Sequence, residues 1–240
     1  MTFSMAKIAE SFSSDRLQYL VFGGLFLGCA GLVAILYFSG SPAFRRFIGS
    51  MNPLLAWFLV GLLGFVCMAF LLAQGWFLVY KAGDLRELFL RSSLAVLFVV
   101  ISIWVDLKIV FPADMNVRFP ESLAFYPAIS FAVEILFHVL PLTLLLVLLT
   151  SLLRNVSHES IVWICIAMVA LLEPVFQVGL MDSASPLWAR VVVGCNLFAF
   201  NLAQLYLFKR YDFVSMYAFR LVYYLVWHIV WGYFRLQVLF

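Results

Sequence analysis

The chain has 240 residues, of which 66% are hydrophobic, 18% aromatic and only 11% charged, with a mean hydropathy of +1.09. That leaves too little polar surface to coat a soluble globule of this size, so the composition excludes one and reads as an integral membrane protein in a lipid bilayer. The formal net charge of +3 is scattered among loops, with no basic patch that would engage nucleic acid.

Apolar runs of about 20 residues recur along the chain, the length a helix needs to cross a bilayer core. They predict an all-α, polytopic transmembrane helical bundle of about seven spans, forming one membrane domain over residues 1–240. Residues 1–16 place Phe3, Ile8 and Phe12 at near-helical spacing, which suits a short interfacial helix or a frayed end. The run from Leu17 to Phe38 is too long for a signal-peptide core and is expected as a retained first span. Its Gly23, Gly24, Gly28 and Gly31 offer a small-residue face for close helix contact. A loop to Pro53 leads to a second span, Leu54 to Tyr80. The segment KAGDLRELFLRSS predicts a charged loop and a short helix feeding a third span from about Leu88 to Val105. Asp106 and Lys108, next to Trp104, are expected to anchor its end among headgroups.

The polar loop from Pro112 to Pro120 precedes a long fourth segment, Leu123 to Leu153, which Pro141 should kink. A polar turn exposing His158 opens the fifth span, Ile161 to Met181, interrupted by Glu173, Pro174 and Gln177. The sixth, Pro186 to Leu207, carries Asn196, Asn201 and Gln204, whose expected role is hydrogen bonding between helices. The last, Phe213 to Phe234, carries Arg220, Tyr224 and His228 at intervals of four. The four cysteines, Cys29, Cys67, Cys165 and Cys195, all fall in spans without C-x-x-C spacing and read as packing residues. Basic residues are more numerous on the side shared by the N-terminus and the even loops. A multi-pass protein of the cell (inner) membrane with a cytoplasmic N-terminus is expected. No internal repeat suggests a transporter built from two halves.

Three spans thus carry polar stripes at spacing four, which places each stripe on one helix face: Glu134/His138, Glu173/Gln177 and Arg220/Tyr224/His228. Ionisable residues at that depth are costly, so they should face the bundle interior. Counting at about 1.5 Å per residue sets Glu134, Glu173 and His228 at one depth. His138 and Arg220 fall deeper, with Tyr224 between the layers and Gln177 above them. Two readings are open. One is a structural network in which Arg220 neutralises a carboxylate. The other is a catalytic or metal site: a carboxylate activates water, imidazoles shuttle protons or bind a divalent metal such as zinc, and Arg220 or Gln177 stabilises an oxyanion.

From Glu134 onward the order of these features resembles the CPBP intramembrane protease family, which includes CAAX prenyl endopeptidases and bacterial abortive-infection-like proteins. That family shows E-E-x-x-x-R on one span, F-x-x-x-H on the next and H-x-x-x-N/D on a later one. Here VEILFH puts Val133, Glu134 and His138 at the first motif, and VALLE puts Val169 and Glu173 at the second. KRYDFVSMYAFRLVYYLVWHIV matches the third, with Arg220 and Tyr224 in one register or His228 and Gly232 in another. The resemblance covers residues 123–236 and keeps Glu134 as the family has it. It implies a membrane-embedded hydrolase of protease type acting on a membrane protein or lipidated peptide. Glu134, Glu173, Arg220 and Tyr224 would then be catalytic, and His138 and His228, with Glu134 and Glu173, would be metal ligands. A non-catalytic protein binding a partner helix, lipid or small ligand in the same groove is the alternative.

Overall fold

The computed structural model describes residues 15–181 and 185–240; the proposed interfacial segment falls almost wholly outside them. Seven helices are long and apolar enough to cross a membrane: α1 Arg16–Phe38, α2 Pro53–Ala73, α3 Leu85–Ile109, α4 Ser122–Leu152, α5 His158–Leu180, α6 Leu187–Arg210 and α7 Phe213–Val238. No strand occurs among the described residues. The protein is a multi-pass helical membrane bundle. Helices α4 and α7 occupy its middle, with α1 and α2 packed on α4, and with α3 and α6 packed on α7.

Local chemistry sets the helix ends. Asn52 caps α2 by accepting from Leu54 N and Leu55 N at 2.9 and 3.3 Å, with Pro53 in the first turn where its missing N–H costs nothing. The same helix stops at Ala73, seven residues before Tyr80, because Gly75 adopts φ +66° just beyond its end. The apolar residues that follow form a non-helical strap. Leu78 O and Val79 O accept from Phe213 N and Val214 N at 3.0 and 3.1 Å, and Gln18 brackets Val79 and Tyr80. Asp212 caps α7 through Ser215 N and holds Lys81 N at 2.8 Å. The short charged helix expected before the third span is present as Leu85–Ser93, capped by Asp84; after a turn at Leu94 it continues into Ala95–Ile109, which ends beyond the expected Val105.

Two further expectations are corrected. Cβ atoms built on Gly24, Gly28 and Gly31 would meet nothing within 4 Å, and one on Gly23 would lie at an ordinary 3.6 Å from the Phe65 ring, so the four do not form a close-contact face. Close approach occurs instead at Gly61 of α2, against the Phe26 ring, and at Gly64, against Ile135 and Phe22. Asp106 is not a headgroup anchor. It is fully buried and pairs with Arg235 of α7, Nε to Oδ2 at 2.7 Å and Nη2 to Oδ1 at 2.8 Å. Trp231 Nε1 and Phe111 N also donate to it, at 2.7 and 2.9 Å. Lys108 is exposed, as expected, and so is His158. Three cysteines are buried packing residues; Cys195 is on an outward face.

Prolines and π-helical turns shape the helices that carry the polar stripes. Pro141 has no N–H, and its ring would crowd the Phe137 carbonyl in a regular α-helix. The preceding turn, Glu134–Val139, is π-helical, and this wider turn accommodates the ring. A second π segment, Leu225–Trp231, lies in α7. In α5, Pro174 accompanies a break at Leu171. The Ala170 carbonyl left without a helical donor accepts from Asn201 Nδ2 of α6 at 3.3 Å.

Candidate functional site

Arg220 is the centre of a buried ion-pair network joining α4, α5, α6 and α7. Its Nε donates to Glu134 Oε1 at 2.6 Å. Nη1 donates to Glu173 Oε1 at 3.0 Å and to Tyr224 OH at 3.3 Å. Nη2 donates to Glu173 Oε2 at 2.8 Å and to Asn201 Oδ1 at 3.4 Å. A guanidinium has five N–H donors, so Arg220 is saturated. Its Cζ also lies 5.3 Å from the Phe200 ring centre and 5.6 Å from that of Tyr224, within cation–π range.

The second Glu134 oxygen faces His138 Nδ1 at 3.1 Å and accepts from Gln204 Nε2 at 3.3 Å. Gln204 Nε2 is also 3.1 Å from His138 Nε2, whose distance to Glu173 Oε2 is 3.9 Å. With Nδ1 donating to Glu134, Nε2 is the acceptor for Gln204. Gln177 Nε2 donates to Glu173 Oε1 at 2.9 Å from the adjacent turn of α5. Glu134, His138, Asn201, Gln204 and Arg220 are all buried from solvent.

His228 stands apart from this network. Its Nδ1 is 2.7 Å from Asn116 Oδ1 of the α3–α4 loop, and its ring stacks on Tyr126 at 4.5 Å and 15°. Tyr224 meets the same imidazole edge to face at 4.8 Å. Gly232, one helical turn on, has no side chain because Asn116 occupies that space: a Cβ there would lie 2.8 Å from Asn116 Nδ2.

A cavity of about 820 Å³ links the two groups. Its lining includes Phe47, Phe111 and Pro186, from the segments that follow α1, α3 and α5. Its walls are mostly aromatic and aliphatic, and its polar wall is Glu173, Gln177, Arg220, Tyr224 and His228. Between α4 and α5 the cavity is lined by Leu136 and Phe176, both exposed on the bundle exterior, with Phe137 and Phe176 in ring contact at 5.4 Å. Helices α4 and α5 pack along the halves nearer their shared loop and part toward this opening.

Of the residues singled out from sequence, Glu134, His138, Glu173, Gln177, Arg220 and Tyr224 are brought together. The layering differs from expectation, however. Glu134 and Glu173 meet through Arg220, with His138 beside them, while His228 pairs with Asn116. The long Arg220 side chain and the π-helical turns defeat a depth count at constant rise. Asn201 and Gln204 do hydrogen-bond between helices, as expected, but they do so inside the site. Their spacing of three puts both on one face of α6 and was the available signal. Asn116, in a polar loop, gave none.

The chemistry of the donors bears on a metal. Both carboxylates hold the same guanidinium, and the two histidines belong to separate groups. Among the described residues no set of three or more His, Cys, Asp or Glu is placed to hold an ion. The arrangement fits an ion-paired wall. No protein-family model, curated protein or solved structure matches the chain.

Proposed function

We propose that the protein binds an amphipathic, lipid-like molecule within the membrane, its head against Gln177, Tyr224 and His228 and its chain along the aromatic walls. The observation that carries this reading is the cavity. At about 820 Å³ it falls in the size range of ligand sites, is apolar apart from one polar wall, and reaches the lipid-facing surface at Leu136 and Phe176. The ion-pair network supports the reading from behind. Each carboxylate already accepts from Arg220 and from an amide, so its oxygens are spent on holding the helices together. Protein purified in mild detergent should retain lipid stoichiometrically by native mass spectrometry. Val133→Trp, which fills the cavity beside α5, should lose that lipid at an unchanged melting temperature. Retention unaffected by the tryptophan would overturn the reading.

A second reading, hydrolysis of the kind the CPBP resemblance implies, is favoured by His228. With Asn116 Oδ1 accepting the Nδ1 proton, Nε2 keeps its lone pair at the cavity wall, where it serves as base for a water. The Tyr224 hydroxyl beside it is the donor for a developing oxyanion. On this reading His228→Gln abolishes cleavage of a lipid-ester or peptide probe while binding persists. Cleavage that survives the change excludes His228 as the base.

A further inference from the structure

We infer that the cavity selects its ligand by head-group charge, admitting an uncharged head with a hydroxyl or carbonyl and rejecting an anionic one such as a phosphodiester. This rests on the binding reading above and narrows it. Arg220 is the only Lys or Arg side chain among the described cavity-lining residues. All five of its N–H groups are already taken, two by Glu173 and one each by Glu134, Tyr224 and Asn201. A phosphate arriving at the polar wall therefore finds a cation with no donor left, and two carboxylates beside it.

The charge sum agrees. Glu134 and Glu173 against Arg220 leave a formal charge of −1 with His138 neutral, and zero with His138 protonated. In neither state is the wall positive, and in an apolar surround an anion gains no compensation for leaving water. What the wall does offer is neutral. Gln177 donates to Glu173 through Nε2, which leaves Oε1 as an acceptor. Tyr224 accepts from Arg220, which leaves its own O–H to donate. His228, engaged through Nδ1, presents Nε2. Two acceptors and a donor on one wall suit a hydroxyl beside an ester or ketone carbonyl, the head of a diacylglycerol-like lipid.

The test is competition between diacylglycerol and phosphatidylglycerol of matched acyl chains, at equal concentration on delipidated protein, read by native mass spectrometry. The expected result is at least a tenfold preference for diacylglycerol. Gln177→Lys adds a cation to an exposed site on the same wall, one helical turn from Glu173, and should narrow that preference about tenfold without changing the melting temperature. Equal or stronger retention of phosphatidylglycerol by the wild type overturns the charge inference and leaves the cavity reading standing. So does a preference that the lysine does not move. Failure to retain either lipid overturns the binding reading itself.

Discussion

Replacing Arg220 by Met tests whether charge balance holds the centre of this bundle. Arg220 is 1% exposed, Glu134 0% and Glu173 4%, so removing the guanidinium leaves two carboxylates with no cation and almost no water. Breaking a buried ion pair from one side costs about 3–5 kcal/mol. For a chain of this size each kcal/mol moves the melting temperature by about 2–4 °C, so the expected drop is about 6–20 °C. The assay is thermal unfolding in detergent followed by tryptophan fluorescence. The control is the triple variant Glu134→Gln, Glu173→Gln, Arg220→Met, which removes all three charges at similar volume. Well-packed neutral replacements of buried ion pairs are often as stable as the original, so the triple variant should recover most of the loss. A triple variant no more stable than Arg220→Met would refute the charge argument and assign the loss to packing around the long side chain.

Three other outcomes follow from the same geometry. Asp106→Asn leaves the buried Arg235 without its carboxylate and should cost about 3–5 kcal/mol, read as a drop in melting temperature of about 6–20 °C. Gly232→Ala places a methyl against Asn116, which should cost about 1–3 kcal/mol and displace Asn116 from His228; ligand retention by native mass spectrometry should fall with it. Pro174→Ala restores a backbone donor for the Ala170 carbonyl and frees Asn201, so α5 should straighten toward α4. Slower lipid uptake into delipidated protein, with stability kept, is the expected result, and unchanged uptake would show that the bend does not set the opening.

Span number and the membrane class were legible because hydropathy over about 20 residues is set by composition alone. The polar stripes were legible for the same reason, since a charge in an apolar run stands out wherever it points. What sequence could not reveal was partnership. Asp106 and Arg235 are 129 residues apart, each near a span end, where a headgroup role is the ordinary expectation. Gly75 ended α2 by backbone conformation, which a hydropathy window does not register. The strap after it is as apolar as a helix but spends its hydrogen bonds on Phe213, Val214 and Gln18. Depth was misjudged because it was counted along regular helices, whereas Glu134, His138 and His228 lie on π-helical turns and Glu173 follows the break at Leu171.

The break in α5 and the ion pair are parts of one structure. Pro174 denies the Ala170 carbonyl its helical donor, Asn201 Nδ2 supplies one, and the same amide turns its oxygen to Arg220. Arg220 then reaches back to Glu173, one residue before the proline. The break in α5 beside the cavity is therefore fastened, through a single asparagine, to the network behind the polar wall. A hydrophobic core would pack as densely, but it would not fix where the helix bends. The directional bonds of Glu173, Asn201 and Arg220 do, and they set the position of the polar wall relative to the opening through which a ligand arrives.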